Sequence, residues 1–405
     1  MSALCLAGPC LHALEPTQAQ AQDHPVEVPE SVVETLHPEG IRLGAFTALP
    51  RISFDLRHDS NVYNQPRGDS DTIAVVRPSL RLASDFGRHA LRIDGAAESR
   101  RYFDNTGENS NQWAFQANGR LDLADRFTFA ADVGAARRIE RRGTFGDQFF
   151  TDRPVSYREL GAGAQLSRMG GIIEWQASIS SRKLTYNDAR SNGIVIDQSF
   201  RDVRRSSASL RIDYRRAARL SLFTRITGTR LDYDVGSNRD SRGFSILGGA
   251  RYQVTDLVEV EGGVGYVEQD TRDPAMPDIK AVDYSLRASW TPDPRLKFEL
   301  EGGRTVERSP LSLGSAILQS TIEGRASVGL GSKTLLALEA GLLRNKYEGA
   351  DRRETRVYAE ATVRRTVFSR LAAFIGVSAR RQTGSGLGAR SYDGVAVRMG
   401  IDFAF

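Results

Sequence analysis

The sequence predicts an all-β fold: a transmembrane antiparallel up-and-down β-barrel of about eighteen strands, with both termini periplasmic. Three observations predict it. Apolar and polar residues alternate from about residue 45 to the last residue, the period-two mark of strands with two different faces. Short turns alternate with longer polar loops through the same region. No apolar run approaches the roughly 20 residues that a membrane-spanning helix requires, so a bilayer could be crossed only by strands.

Composition agrees with one large closed β structure. Gly is plentiful at 38, Pro sparse at 14, and Arg far outnumbers Lys. The formal net charge is +5, but 55 basic and 50 acidic residues are interleaved along the chain, so no basic footprint forms and no nucleic-acid partner is expected. Cys5 and Cys10 both precede the β-rich region, which therefore holds no disulfide, zinc centre or thiol nucleophile.

Residues 1–21, beginning "MSALCLAGPC", read as a weak or truncated signal peptide: a short apolar stretch and an A-x-A site at Ala19 to Ala21, without a positive start. A disordered extension is the competing reading. Pro9 argues against lipidation at Cys10, where a small residue is expected. Residues 22–44 are polar and acidic with scattered Pro, as suits a periplasmic segment, and 45–405 form the barrel.

Strands are expected near 45–58, 72–84, 89–103, 111–123, 126–139, 155–168, 171–186, 203–215 and 219–233. They continue near 243–254, 257–268, 280–291, 295–306, 315–330, 334–347, 355–367, 370–381 and 393–405. In "AVDYSLRASW", Val282, Tyr284, Leu286, Ala288 and Trp290 oppose Asp283, Ser285, Arg287 and Ser289. Short turns fall at 124–126, 216–219, 291–295 and 331–334. Long loops fall at 59–71, 140–154, 187–202, 268–278 and 382–392. Trp113, Trp175, Tyr214, Tyr252, Tyr266 and Trp290 near strand ends fit interfacial girdles. The final strand turns Val395, Val397, Met399, Ile401, Phe403 and Phe405 to lipid and Arg398, Asp402 and Ala404 inward, and must pair with the first strand to close the sheet.

The stretch "RHDSNVYNQPRGDSDTIAVVRPSLRLASDFGRHALRIDGAAESRRYFDN", residues 57–105, with "RLDLADRFTF", "WTPDPRLKFELEGGRTVE" and the terminal "GIDFAF", resembles the β-barrel porin family found in exopolysaccharide gene clusters. Its landmarks are Asp59 to Tyr63, Ser70 to Thr72 and Pro78. The resemblance covers nearly everything after residue 45, with departures in Arg content and in the incomplete signal. It implies outer-membrane passage or export of polysaccharide beside periplasmic export components. It also implies recognition of Phe405 by the barrel insertion machinery. Outer-membrane lipid and lipopolysaccharide complete the expected partners, and no cofactor or metal is expected.

Eighteen strands enclose a lumen wide enough for water unless a loop folds inward. The alternation offers as lining residues Arg51, Arg77, Arg81, Arg120, Arg138, Arg211, Arg251, Arg287, Arg325, Arg356 and Arg398. The acidic set is Asp55, Asp94, Asp122, Asp132, Asp213, Glu259, Glu261, Asp283, Glu299, Glu323 and Glu360. The balanced signs favour a wall laced by Arg–carboxylate pairs. Arg residues left unpaired, with nearby Ser, Asn and Gln, would offer exchangeable hydrogen bonds to a sliding glycan.

Other chemistry is poorly supported. His58 and His89 are the only histidines of the barrel region, and His58, Asp59 and Ser60 at a loop mouth favour hydration over a triad. The block Asp59 to Asp71 lacks calcium-loop spacing and reads as a solvated turn. "GLGSKT" at 329–334 lacks a phosphate loop's first Gly and a following helix, and reads as a periplasmic turn. The pairs Gly262–Gly263 and Gly302–Gly303 are expected within strands, relieving packing on a curved sheet. The expected function is non-enzymatic polysaccharide passage; the alternatives are a diffusion porin for small solutes and a closed structural or adhesive barrel.

Overall fold

The computed structural model describes Leu36 and residues 39–144, 151–308 and 316–405. The signal reading and most of the 22–44 segment lie outside the described residues.

A short strand β1 (Ile41–Leu43) leads into β2 (Phe46–Asp59), β3 (Asp71–Ser84), β4 (Ala90–Tyr102), β5 (Ser110–Ala124), β6 (Phe127–Ile139), β7 (Ser156–Arg168) and β8 (Ile173–Tyr186). A small hairpin, β9 (Ala189–Ser191) and β10 (Ile194–Ile196), follows. Then come β11 (Val203–Ala217), β12 (Leu220–Tyr233), β13 (Ser241–Thr255), β14 (Val258–Thr271), β15 (Ile279–Asp293) and β16 (Leu296–Arg308). The chain finishes with β17 (Ala316–Gly329), β18 (Thr334–Glu348), β19 (Arg352–Phe368), β20 (Leu371–Gly386) and β21 (Tyr392–Ala404). Each long strand pairs antiparallel with the next, β8 with β11 across the hairpin, and β21 returns to β2 through Ala404↔Arg51 to Ala396↔Asp59. Eighteen strands thus close into one barrel, as predicted. Closure satisfies the backbone of both terminal strands, which in an open sheet would be edges.

At one end the strands are joined by tight turns, among them 331–334, where Leu330 N–H donates to Thr334 O at 2.8 Å. At the other end lie the long connections. We call these the turn end and the loop end.

Period two divides each strand between two environments. Ile52, Phe54 and Leu56 of β2 and Val395, Val397, Met399 and Ile401 of β21 are exposed on one face, while Asp55, Asp402 and Ala404 between them are buried on the other. The charged face is the inner one. Arg205 of β11 and Glu307 of β16 approach to 3.8 Å although β12 to β15 separate them along the sheet, a contact possible only across the lumen. Trp113, Tyr214, Tyr252, Tyr266 and Trp290 are exposed among the outer apolar side chains. Trp175 joins them through its place beside outward Ile212, opposite it in register.

Two glycines have a specific packing role. Phe223 points inward and is buried beneath Arg211, whose guanidinium carbon lies 4.2 Å from the ring centroid. A Cβ on Gly249 or Gly263 would stand 2.7 or 2.9 Å from that ring, so these positions form its cradle. Gly262, on the outer face, would meet nothing within 4 Å. The expected relief of crowding is therefore carried by the inward member of that pair.

The sheet begins earlier than expected. β1 pairs with β2 through Ile41↔Ala48 to Leu43↔Phe46, along the part of the β2 edge that β21 does not reach. The change of neighbour falls at Pro50, whose nitrogen has no proton to donate and whose carbonyl accepts from Phe405 N–H at 3.1 Å. Gly40 N–H donates to Phe405 O at 3.3 Å, so β1 continues the line of β21. Just upstream, Leu36 is buried against Ala372 and Ala404 at the turn end of the lumen.

Candidate functional site: the inner wall and its loop-end constriction

The inner wall is laced by ion pairs, some between different strands and some between residues i and i+2 of one strand. Arg77 binds Asp55 and also reaches Glu98 at 2.7 Å, and Arg81 meets Asp94 at 2.7 Å. Arg120 lies 3.3 Å from Asp122, Arg138 2.8 Å from Glu159, and Arg51 3.7 Å from Asp402. Arg211 holds Asp213 and Glu261, each at 2.8 Å, while Arg251 approaches Glu261 at 2.7 Å and Glu259 at 3.9 Å. Arg287 meets Glu301 at 3.0 Å, and Glu299 is engaged by Lys297 at 2.9 Å. Arg325 pairs with Glu323, and Arg398 with Glu360. Among the described residues Asp132 and Asp283 form no ion pair and so stand apart from the lacing. The inward-facing charges among the described residues are thus laced largely in pairs of opposite sign.

Toward the loop end the wall thickens into a network not anticipated from the sequence. Glu98 on β4 is the hub: Arg77, Arg100 and Gln112 donate to it at 2.7, 2.7 and 3.0 Å, and Arg141, from the 140–155 loop, at 3.1 Å. The next residue, Arg142, makes a forked bond to Glu108 of the 103–109 loop (Nε to Oε2 3.0 Å, Nη2 to Oε1 2.7 Å) and donates to Thr151 O at 2.7 Å. Asn64 Nδ2 donates to Arg142 O at 2.7 Å, and Arg356 of β19 donates to Gly143 O. The loop after β6 thus reaches across the mouth to the wall formed by β19. Gly143 is required at the crossing: its φ is +79°, and a Cβ there would lie 2.5 Å from Asn64.

The block Asp59 to Asp71 is solvated only in part, at Ser60 and residues 66–70, which are exposed. Asp59, Asn61, Val62 and Asp71 are all buried. Asp59 accepts from Arg57 at 3.0 Å and from Arg380 at 2.8 Å, and Arg380 also reaches Asn64 Oδ1 at 2.6 Å. Asn61 Nδ2 bridges Gln65 O at 2.7 Å and Asp393 O at 2.8 Å. The polar groups of Asp59, Asn61 and Asn64 are satisfied by neighbouring strands and loops rather than by water. Among the described residues no cluster of metal-ligating side chains forms.

Asp71 organises the adjacent loop by accepting from Thr72 N–H at 2.6 Å, Phe103 N–H at 3.1 Å and Asn105 N–H at 2.8 Å. In Asp71→Asn, loss of this charge-assisted acceptor is expected to speed amide hydrogen exchange at 103–105 by about ten-fold. Unchanged exchange there would contradict this organising role.

His58, Asp59 and Ser60 do not assemble. The His58 ring contacts Thr72 Oγ1 at 3.1 Å on the outer face, Asp59 turns inward to Arg380, and Ser60 Oγ accepts from Val395 N–H at 2.9 Å. His89 Nδ1 accepts from Asp122 N–H at 3.2 Å.

A second loop-end cluster lies inward near β7, β8 and β11. Tyr157 stacks on Tyr186 at 5.1 Å, and Arg201 covers the Tyr186 ring at 4.0 Å while binding Glu140. The β9–β10 hairpin turns at Asn192–Gly193, whose amides donate to Asp152 at 2.8 and 3.2 Å. This ties the 187–202 segment to the loop that crosses the mouth.

The family model described as "Putative beta-barrel porin 2" matches residues 34–405, nearly the whole chain. The chain belongs to that family. No curated protein matches this porin-family barrel. Among solved structures, it is similar to the copper transporter OprC (TM-score 0.50, 11% identity, covering 91% of this chain and 82% of that one). It is also similar to a mutant of the ferric enterobactin receptor PfeA from Pseudomonas aeruginosa (TM-score 0.48, 9% identity, 88% and 80% covered). A third likeness is to the outer membrane protein OpdK of the same organism (TM-score 0.44, 10% identity, 88% and 99% covered). At these identities the likeness concerns the barrel fold, which this family member shares with Gram-negative outer-membrane proteins.

Proposed function

We propose that this porin-family barrel is an outer-membrane channel, with its turn end in the periplasm and its loop end outside, that passes a polysaccharide outward. The observation that supports this most is the neutralised inner wall. Paired Arg and carboxylate groups present donors and acceptors without a net field, which suits a hydroxyl-rich chain moving by exchange of weak hydrogen bonds. A charge-selective pore needs a ring of one sign. The family's porin description and the resemblance of residues 57–105 to members from exopolysaccharide clusters point the same way. Periplasmic export components would then dock at the turn end, and the insertion machinery would read the strand ending in Phe405. No catalytic step is assigned to the wall.

Single-channel recording in planar bilayers, with and without the host's own surface polymer, tests the proposal. The expected result is an open channel reversibly blocked by polymer. Conductance indifferent to polymer would replace polysaccharide with small solutes, and a silent barrel would move the function to its outer loops.

A further inference from the structure

The outer face is chemically asymmetric along the barrel axis. Near the turn end it carries Trp175, Tyr214, Tyr252 and Trp290, each within a few residues of a turn. Near the loop end, where Trp113 and Tyr266 also lie, it is rich in arginine. Strand register places Arg137 of β6 directly opposite Arg158 of β7, and Arg204 of β11 opposite Lys183. Likewise Arg242 of β13 lies opposite Arg230, and Arg353 of β19 opposite Lys346. Like charges directly opposite one another on a sheet face repel. The three other partners have anions of their own, Lys183 at Asp234, Arg230 at Asp232 and Lys346 at Glu348, at 2.9, 2.7 and 2.8 Å. Arg137, Arg158, Arg204, Arg242 and Arg353 are exposed and have no anionic partner among the described residues.

This contrasts with the inner wall, where guanidinium groups lie against carboxylates. Across their other strand pairs Arg204 and Arg242 face Asp232 and Asp270, whereas Arg137, Arg158 and Arg353 have no acidic residue opposite on either side. Each stands within a few residues of its strand's loop end, the level of a leaflet's headgroups. An unpaired cation facing hydrocarbon is costly, whereas a guanidinium at headgroup depth can bind phosphate in a forked geometry.

We infer that this belt docks the phosphorylated glycolipid of the outer leaflet, with Arg137 and Arg158 forming one phosphate clamp. The inference rests on the outer-membrane orientation proposed above and is independent of what crosses the lumen. The belt would fix the barrel's depth in an asymmetric bilayer.

The purified barrel is exchanged into detergent and titrated with bisphosphorylated lipid A or with the same lipid enzymatically dephosphorylated. Retained lipid is counted by native mass spectrometry. The phosphorylated form is expected to be retained several-fold more, and Arg137→Gln with Arg158→Gln to reduce that retention while leaving single-channel conductance unchanged. Equal retention of both forms by the unaltered protein would overturn the inference even if the variant failed to fold. Retention by the variant equal to that of the parent would remove the clamp. Binding of inorganic phosphate that displaces no lipid would also count against it. A barrel that retains the lipid but never conducts would overturn the channel reading alone. A conducting barrel without phosphate-dependent retention would overturn the belt alone.

Discussion

Replacing Glu98 with alanine is expected to destabilise the barrel by about 3 kcal/mol, the lower end of the range for breaking a buried ion pair. Glu98 and Arg100 retain only 6% and 10% side-chain exposure, so the arginine left behind has little access to water. Arg77 and Arg141 are more open, at 30% and 26%, and recover some hydration, which is why the loss stays at the lower end. The urea midpoint of the barrel refolded into detergent micelles measures the effect. Glu98→Gln keeps a neutral acceptor for Gln112 and Arg100 and should lose clearly less. Glu299→Ala provides the contrast: its pair with Lys297 is exposed, and the stability should change by no more than roughly 0.5 kcal/mol. Equal shifts for Glu98→Ala and Glu299→Ala would remove Glu98 from its place as hub.

Releasing the loop that crosses the mouth should enlarge the passage. Arg142→Ala removes the forked bond to Glu108, and Arg356→Ala frees Gly143 from the far wall. The double variant is expected to raise single-channel conductance roughly two-fold, since a pore's narrowest segment dominates its resistance. The same variant should be cut faster by trypsin at Arg141 or Arg153, a readout that does not depend on an open channel. Conductance and cleavage both unchanged would mean that other contacts hold the loop.

The barrel was legible because alternation survives any rearrangement of loops. Residues 111–123 and 280–291 announce β5 and β15 by period alone, and the structure differs only by a residue or two at the ends. Ion pairs between hairpin neighbours were nearly as accessible. Arg81 faces Asp94, and Arg287 faces Glu301, directly across a short turn. Arg211 with Glu261 was not, because it spans β11 to β14 and depends on the inward curve of a closed wall. The mouth was least legible. Its contacts join residues far apart in sequence, such as Gly143 with Arg356 and Asn64 with Arg380, and no period marks them. One local signal was nevertheless present: Asn192–Gly193, just ahead of the apolar run Ile194 to Ile196, is a hairpin turn signal. Tyr157 and Tyr186 also depart from the rule that aromatics face outward, because their rings floor an arginine cluster.

The join between β2 and β21 differs from every other pairing of neighbouring barrel strands, all of which unite segments close in sequence. Those hairpins can form early and locally, whereas the join must wait until the two ends of the sheet find each other. The entropic cost of closing so long a loop grows only logarithmically, so the delay is a matter of search rather than of final stability. During that interval the β2 edge is open to a foreign strand, and β1, folded back on its first residues, narrows the exposed length from the start. A chain arrested before the join would therefore expose Arg51 to Asp59 to added strand-forming peptides, and Ile41 to Leu43 would already guard the rest.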